Sequence, residues 1–141
     1  MSSKATATWN GDLKGGNGTM SATSGVLDNA AFTFATRFEG KPGTNPEELV
    51  AAAHAGCFSM ALSAELGKAG MKPESIRTTA VVTLEMVDGK PTVTKSALTV
   101  TAKVPGADKA KFLEVAAGAK QGCPISRLLK AEITMEATLE S

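Results

Sequence analysis

Aromatic side chains are scarce in this sequence: five phenylalanines, one tryptophan and no tyrosine. None is interleaved with basic residues, which excludes the stacking platform that single-stranded nucleic acids need. Charge offers no attractant either. Fifteen lysines and arginines against fourteen aspartates and glutamates leave a formal charge of +1, too little to draw in a nucleic acid or an anionic membrane surface. Histidine occurs once and cysteine twice, too few for a structural zinc site or a disulfide framework. The longest charge-free apolar run, residues 49–64, has 16 positions and carries His54, so it falls short of a comfortable membrane span. The opening residues MSSKATATWNGD hold no apolar signal core, so export is not indicated and a cytoplasmic setting is the expectation. There, ordinary thiols stay reduced, and a bond between the two cysteines would be catalytic rather than structural.

What is present is an ordinary globular composition, 43% hydrophobic and 21% charged over 141 residues, which predicts one domain spanning 1–141. Short strands are expected at residues 4–9, 19–23 and 31–38, the last with Phe32, Phe34 and Phe38 on one face and Arg37 on the other. A KPGTN loop then leads into a helix. Asn45 can cap it, Pro46 suits its first position, and Glu47 and Glu48 favour the positive end of the helix dipole. It should run to Gly67 or Gly70. Residues 75–87 and 92–104 alternate apolar and polar side chains around Asp88-Gly89, a strong hairpin signal. An amphipathic helix at 108–120, a short helix after Pro124 and a last strand with Ile133, Met135, Ala137 and Leu139 in phase complete the chain. Hairpin regions with helices between them predict an α+β fold. The 46–67 helix is small and apolar nearly all round, so it must be covered on every side. One sheet covers only one side, and a second copy of the chain is expected on the other.

The candidate chemistry centres on 51-AAAHAGCF-58. A cysteine among alanines in mid-helix is usually an inert core residue. To be a nucleophile it must reach the thiolate form, which needs a nearby cation, a histidine or a helix N-terminus. His54 lies three positions earlier on a similar face, and a Cys-His pair would point to acyl transfer; the bland alternative is a packed histidine. Arg37 is either an exposed strand-end arginine or a guanidinium folded over Cys57, aimed by Glu47. Cys123, ahead of Pro124, falls at a helix N-cap, where exposed amides favour a thiolate and where a place near the surface is expected. A nucleophilic thiol with a second thiol to resolve it is the logic of redox cysteines.

The segments 36-TRFEGKPGTNPEELVAAAHAGCFSMAL-62 and 120-KQGCPISRLLKAEITMEATL-139, with Trp9-Asn10-Gly11-Asp12 and 24-SGVL-27, resemble the osmotically inducible protein C branch of the OsmC/Ohr family over nearly the whole chain. The resemblance implies an OsmC-like fold: antiparallel sheets packed on two central helices in an intertwined homodimer, with active sites at the interface. It implies a thiol-dependent peroxidase for organic hydroperoxides that uses no cofactor and no metal. Cys57 matches the peroxidatic cysteine and Cys123 the resolving one. Arg37 matches the arginine that activates the thiolate, and Glu47 the carboxylate that orients it. Gly56 stands where relatives commonly carry alanine. The implied reductant is a dithiol, a dihydrolipoyl group or a lipoylated protein; no nucleic-acid or membrane partner is implied. Two rival readings stay open: a Cys-His acyl transferase or hydrolase using His54 and Cys57, and a non-catalytic binding dimer with inert thiols.

Overall fold

The computed structural model describes residues 1–140. Their contacts divide the chain into two compact units, Met1–Leu49 and the remainder from Val50 onward.

The first unit holds an antiparallel sheet of β1 (Ala5–Asn10), β2 (Asn17–Ala22) and β3 (Ala30–Phe32), in that order. The close approach of β2 to its neighbours requires Gly18, because a Cβ there would lie 2.7 Å from Phe32 and from the Thr8 carbonyl. The strand expected over 31–38 ends early, at Phe32. Thr33 breaks it with a reciprocal capping box: its hydroxyl accepts from the Thr36 amide, and the Thr36 hydroxyl accepts from the Thr33 amide. Helix α1 (Phe34–Phe38) follows. The alternating Phe32, Phe34 and Phe38 are therefore not one strand face. Phe34 and Phe38 are an i,i+4 helical pair, their ring centroids 4.9 Å apart.

Helix α2 (Pro46–Lys68) begins in this unit and continues into the second. Asn45 caps it by accepting from the Glu48 amide at 2.8 Å, which leaves the Glu47 side chain free. The second unit contains β4 (Ser75–Val87), β5 (Lys90–Lys103) and β6 (Glu132–Glu140), with helices α3 (Lys109–Gly122) and α4 (Pro124–Leu128) between β5 and β6. Asp88 and Gly89, both at positive φ, make the expected tight turn between β4 and β5. The β6 strand pairs with β5 in parallel, so this sheet is mixed rather than wholly antiparallel. The long α3–α4 connection makes that possible: a parallel neighbour needs a crossover, which a hairpin cannot supply.

The core is built where three periodicities meet. His54, Phe58, Leu62 and Leu66 form a buried i,i+4 stripe on α2. Leu98, Val100 and Ala102 point inward from β5, and Phe112, Ala116 and Ala119 from α3. Each large side chain so buried contributes about 1.5–3 kcal/mol. The opposite stripe of α2, including Ala53, Gly56, Met60, Ala64 and Gly67, is exposed in the single chain. The expected all-round burial of α2 is thus not met within one chain. Its 23 residues are also long and apolar enough to cross a membrane by length and composition alone.

Candidate active site

Within the first unit, the end of α1 and the start of α2 carry a fixed ion pair. Arg37 lies in the last turn of α1, not on a strand. Its Nε donates to both Glu47 carboxylate oxygens at 3.2 Å, and a terminal guanidinium nitrogen donates to Oε1 at 2.7 Å. The Asn45 side-chain amide donates to the Thr36 carbonyl at 3.2 Å and ties the two elements together. A fork held this way has lost most of its rotamer freedom and presents its remaining N–H groups in one direction. Beside it is a pocket of about 230 Å3, lined by Trp9, Leu13, Phe32, Thr33, Phe34, Arg37 and Phe38. A guanidinium beside a mostly apolar cleft suits a ligand with one polar end and a hydrocarbon body.

Within the second unit, Cys57 and Cys123 come together. Cys57 lies about three turns into α2 and is half-buried. Cys123 ends α3 and caps α4: its amide donates to the Ala119 carbonyl, and its sulfur accepts from the Ser126 amide at 3.5 Å. Cys123 is fully buried, contrary to the expected place near the surface, because Ala116 and Ala119 carry the end of α3 into the core. The two sulfurs stand 3.3 Å apart, and both are free thiols.

The pair is electrostatically lopsided. Burial pushes the Cys57 thiol above its ordinary pKa; the Ile125 amide opposes this, and Cys123 beside it adds to the rise. None of the groups acting on Cys57 is a cation. Burial also pushes Cys123 up, but hydrogen bonds from the Ser126 amide and hydroxyl, from Cys57 and from the Ile125 amide outweigh it, so Cys123 falls below its ordinary value. Of the two sulfurs, Cys123 is the one around which the α4 amides gather, and they favour its thiolate.

His54 does not act on Cys57. Its Nδ1 is 2.6 Å from the Ser96 hydroxyl and its Nε2 is 2.8 Å from the Ser126 hydroxyl. Both ring nitrogens are thereby occupied, and burial holds the imidazole below its ordinary pKa of 6.5. The Cys-His hydrolase reading loses its base. His54 is the packed histidine of the alternative reading, and its partners are two serines that the sequence reading did not single out. Both had a signal. Ser96 is a polar residue in phase with inward-facing Leu98, Val100 and Ala102, and Ser126 stands three positions after the N-cap, as in a capping box. Among the described residues, no group of three or more His, Cys, Asp or Glu is arranged to hold a metal ion.

This pairing of thiols is a dithiol site capable of reversible oxidation, and comparison with known proteins gives its class. Residues 38–138 match the model of the family described as OsmC-like protein. The chain is 54% identical over 138 residues to Peroxiredoxin OsmC of Escherichia coli (strain K12), covering 98% of this chain and 96% of that protein. It is 32% identical over 101 residues to an organic hydroperoxide resistance protein of Xanthomonas axonopodis pv. citri (strain 306), covering 71% and 69%. Among solved structures, the organic hydroperoxide resistance protein OhrB of Bacillus subtilis matches with a TM-score of 0.68 at 25% identity, covering 97% of this chain and 98% of that one. An OsmC-like protein of Mycoplasma pneumoniae shares the fold with a TM-score of 0.76 at 14% identity, covering 100% and 99%. The chain belongs to the OsmC-like family.

Proposed function

We propose that this chain, a thiol-dependent hydroperoxide peroxidase of the OsmC-like family, works through Cys57 as the peroxidatic thiol and Cys123 as the resolving thiol. The Cys57 thiolate attacks the O–O bond of an organic hydroperoxide. The alkoxide leaves, takes a proton and departs as the alcohol, and Cys57 becomes a sulfenic acid. Cys123 condenses with it, water leaves, and a disulfide joins the two sulfurs. A dithiol donor then restores both thiols by exchange. The observation that carries this reading is the 3.3 Å separation of the two sulfurs.

The family resemblance assigns thiolate activation to Arg37, which Glu47 holds in a fixed orientation. A permanent positive charge of this kind favours a cysteine thiolate over the thiol. The aromatic pocket around Arg37 suits an alkyl or lipid hydroperoxide better than hydrogen peroxide. The working form is a homodimer in which the exposed small-residue stripe of α2 is covered by a second copy. The reductant is a dihydrolipoyl group or a protein bearing one, and the setting is cytoplasmic, where stress-generated peroxides are cleared.

The test is a thiol count. One equivalent of tert-butyl hydroperoxide should remove both free thiols and lower the mass by about 2 Da, a disulfide replacing two S–H groups. Two thiols still reactive after peroxide would overturn the reading and leave an inert dimer. Equal catalytic efficiency with hydrogen peroxide and cumene hydroperoxide would overturn the substrate preference alone.

A further inference from the structure

His54 takes no part in the steps above, yet it and Ser96 are fully buried polar side chains in an apolar core. A buried imidazole is tolerated only with its ring nitrogens bonded, and His54 meets this with two serine hydroxyls. The ring is neutral at ordinary pH, so one nitrogen donates and the other accepts. Ser126 links this pair to the thiols. Its hydroxyl bonds His54 Nε2 at 2.8 Å while its amide donates to Cys123 Sγ at 3.5 Å.

A serine hydroxyl has one proton to give. With the imidazole proton on Nδ1, Nε2 accepts a hydrogen bond from the Ser126 hydroxyl, and that hydroxyl offers Cys123 only lone pairs, leaving the sulfur with backbone donors alone. With the proton on Nε2, His54 donates to Ser126, the Ser96 hydroxyl donates to Nδ1, and the Ser126 hydroxyl is free to donate towards the Cys123 sulfur. The second arrangement matches a thiolate and the first a thiol.

We propose that His54 is a positioning residue for the resolving step: through Ser126 it presents Cys123 as a hydrogen-bonded thiolate to the Cys57 sulfenic acid. This rests on the reading of Cys123 as the resolving thiol. In that step Cys123 gives up its proton, and the S–S bond forms as the S–O bond of Cys57 breaks. The leaving oxygen takes up one proton and departs as water, with no electrons from outside. The groups acting on the Cys123 sulfur are Cys57 from α2 and Ile125 and Ser126 from α4; His54 reaches it only through Ser126.

Single-turnover kinetics with tert-butyl hydroperoxide separate sulfenic acid formation from disulfide formation. In a Cys57→Ser background, the pH midpoint of Cys123 alkylation by iodoacetamide is a second readout, which a merely structural histidine would not move. His54→Leu and Ser126→Ala should slow disulfide formation about tenfold or more, the loss of one hydrogen bond to a charged group, and raise the alkylation midpoint. Sulfenic acid formation should not slow, because neither His54 nor Ser126 is among the groups acting on Cys57. His54→Gln, which keeps a donor towards Ser126, should restore most of both. If His54→Leu does not fold, Ser126→Ala and His54→Gln carry the test. Wild-type disulfide kinetics and alkylation midpoints in the folded variants overturn this inference alone. A wild-type protein that keeps both thiols after peroxide overturns the cysteine pairing, and this inference with it.

Discussion

Cys57 and Cys123, 66 positions apart in sequence, hold their sulfurs 3.3 Å from one another. A disulfide closes at about 2.05 Å, so pairing asks for about an ångström of movement, within the reach of side-chain rotation. The two thiols have unequal duties, and single substitutions should separate them. Cys57→Ser should lose peroxide turnover by about a thousandfold or more, since the sulfur that remains, on Cys123, is fully buried. Cys123→Ser should still consume one equivalent of peroxide and then stop as a sulfenic acid, trapped by a dimedone-type reagent. Full steady-state turnover by Cys123→Ser with a dithiol donor would remove Cys123 from the cycle.

The Arg37–Glu47 pair is expected to matter far more to activity than to stability. The arginine side chain is 35% exposed and the glutamate 12%, so solvent screens the pair and its net worth to folding is about 1 kcal/mol or less. Arg37→Lys keeps the charge and loses the fork; Glu47→Gln keeps the shape and loses the charge that aims it. Both should reduce the rate of Cys57 oxidation about tenfold or more while thermal midpoints move by only a few degrees. A loss of activity that follows stability in proportion would mean the pair only ties α1 to α2.

Most of the fold was legible because its elements repeat their period for long enough. The 75–87 and 90–103 strands and the 46–68 helix each carry enough apolar repeats to declare themselves. The Phe34–Phe38 helix did not, since five residues rich in aromatics satisfy strand alternation as well as an i,i+4 contact; only Thr33 and Thr36 betray the cap. The parallel pairing of β6 with β5 leaves no mark in either strand's own pattern. In the site, Cys123 was legible as a helix cap from Pro124, and Asn45 as the cap of α2. That the two cysteines meet is a product of the core that joins α2, β5 and α3, and spacing alone does not contain it; family resemblance supplied it.

His54 should make stability pH-dependent. Its folded pKa lies below the ordinary 6.5 because burial penalises the imidazolium. Near and below pH 6.5 the unfolded chain takes up a proton that the folded chain refuses. The stability present above that pH is therefore lost progressively as pH falls towards the lower folded value, at no more than about 1.4 kcal/mol per pH unit for one proton. Urea unfolding of the wild type and His54→Gln at pH 7.5 and 5.5 isolates this contribution from that of the carboxylates. The difference between the two proteins should shrink or reverse at the lower pH; a constant difference would show that His54 does not titrate on unfolding.

Gly56 offers a stabilising change one residue from the nucleophile. It sits inside α2, and a Cβ built on it meets nothing within 4 Å in the single chain. Alanine is the better helix former by about 1 kcal/mol, so Gly56→Ala should raise stability by about 0.5–1 kcal/mol and leave Cys57 oxidation unchanged. Chemical denaturation measures the first and single-turnover kinetics the second. Destabilisation would mean that the helix needs close backbone approach at this point in the assembled protein.

The exposed side of α2 bears on assembly. Met60 is 78% exposed on a stripe otherwise made of small residues, an arrangement that lets another surface come close to the helix backbone. A second copy is the partner we expect there, so the protein should behave in light scattering as a species of twice its 14.4 kDa chain mass. Met60→Glu would bury a carboxylate in that contact, which costs several kcal/mol when unpaired. It should shift the equilibrium towards monomer at micromolar concentration and lower the thermal midpoint in a concentration-dependent way. The change is on the opposite side of the helix from Phe58 and Leu62, so secondary structure by circular dichroism should persist in the monomer formed. A wild-type protein that is monomeric at high concentration, or a Met60→Glu protein that stays dimeric, would remove this face from the interface.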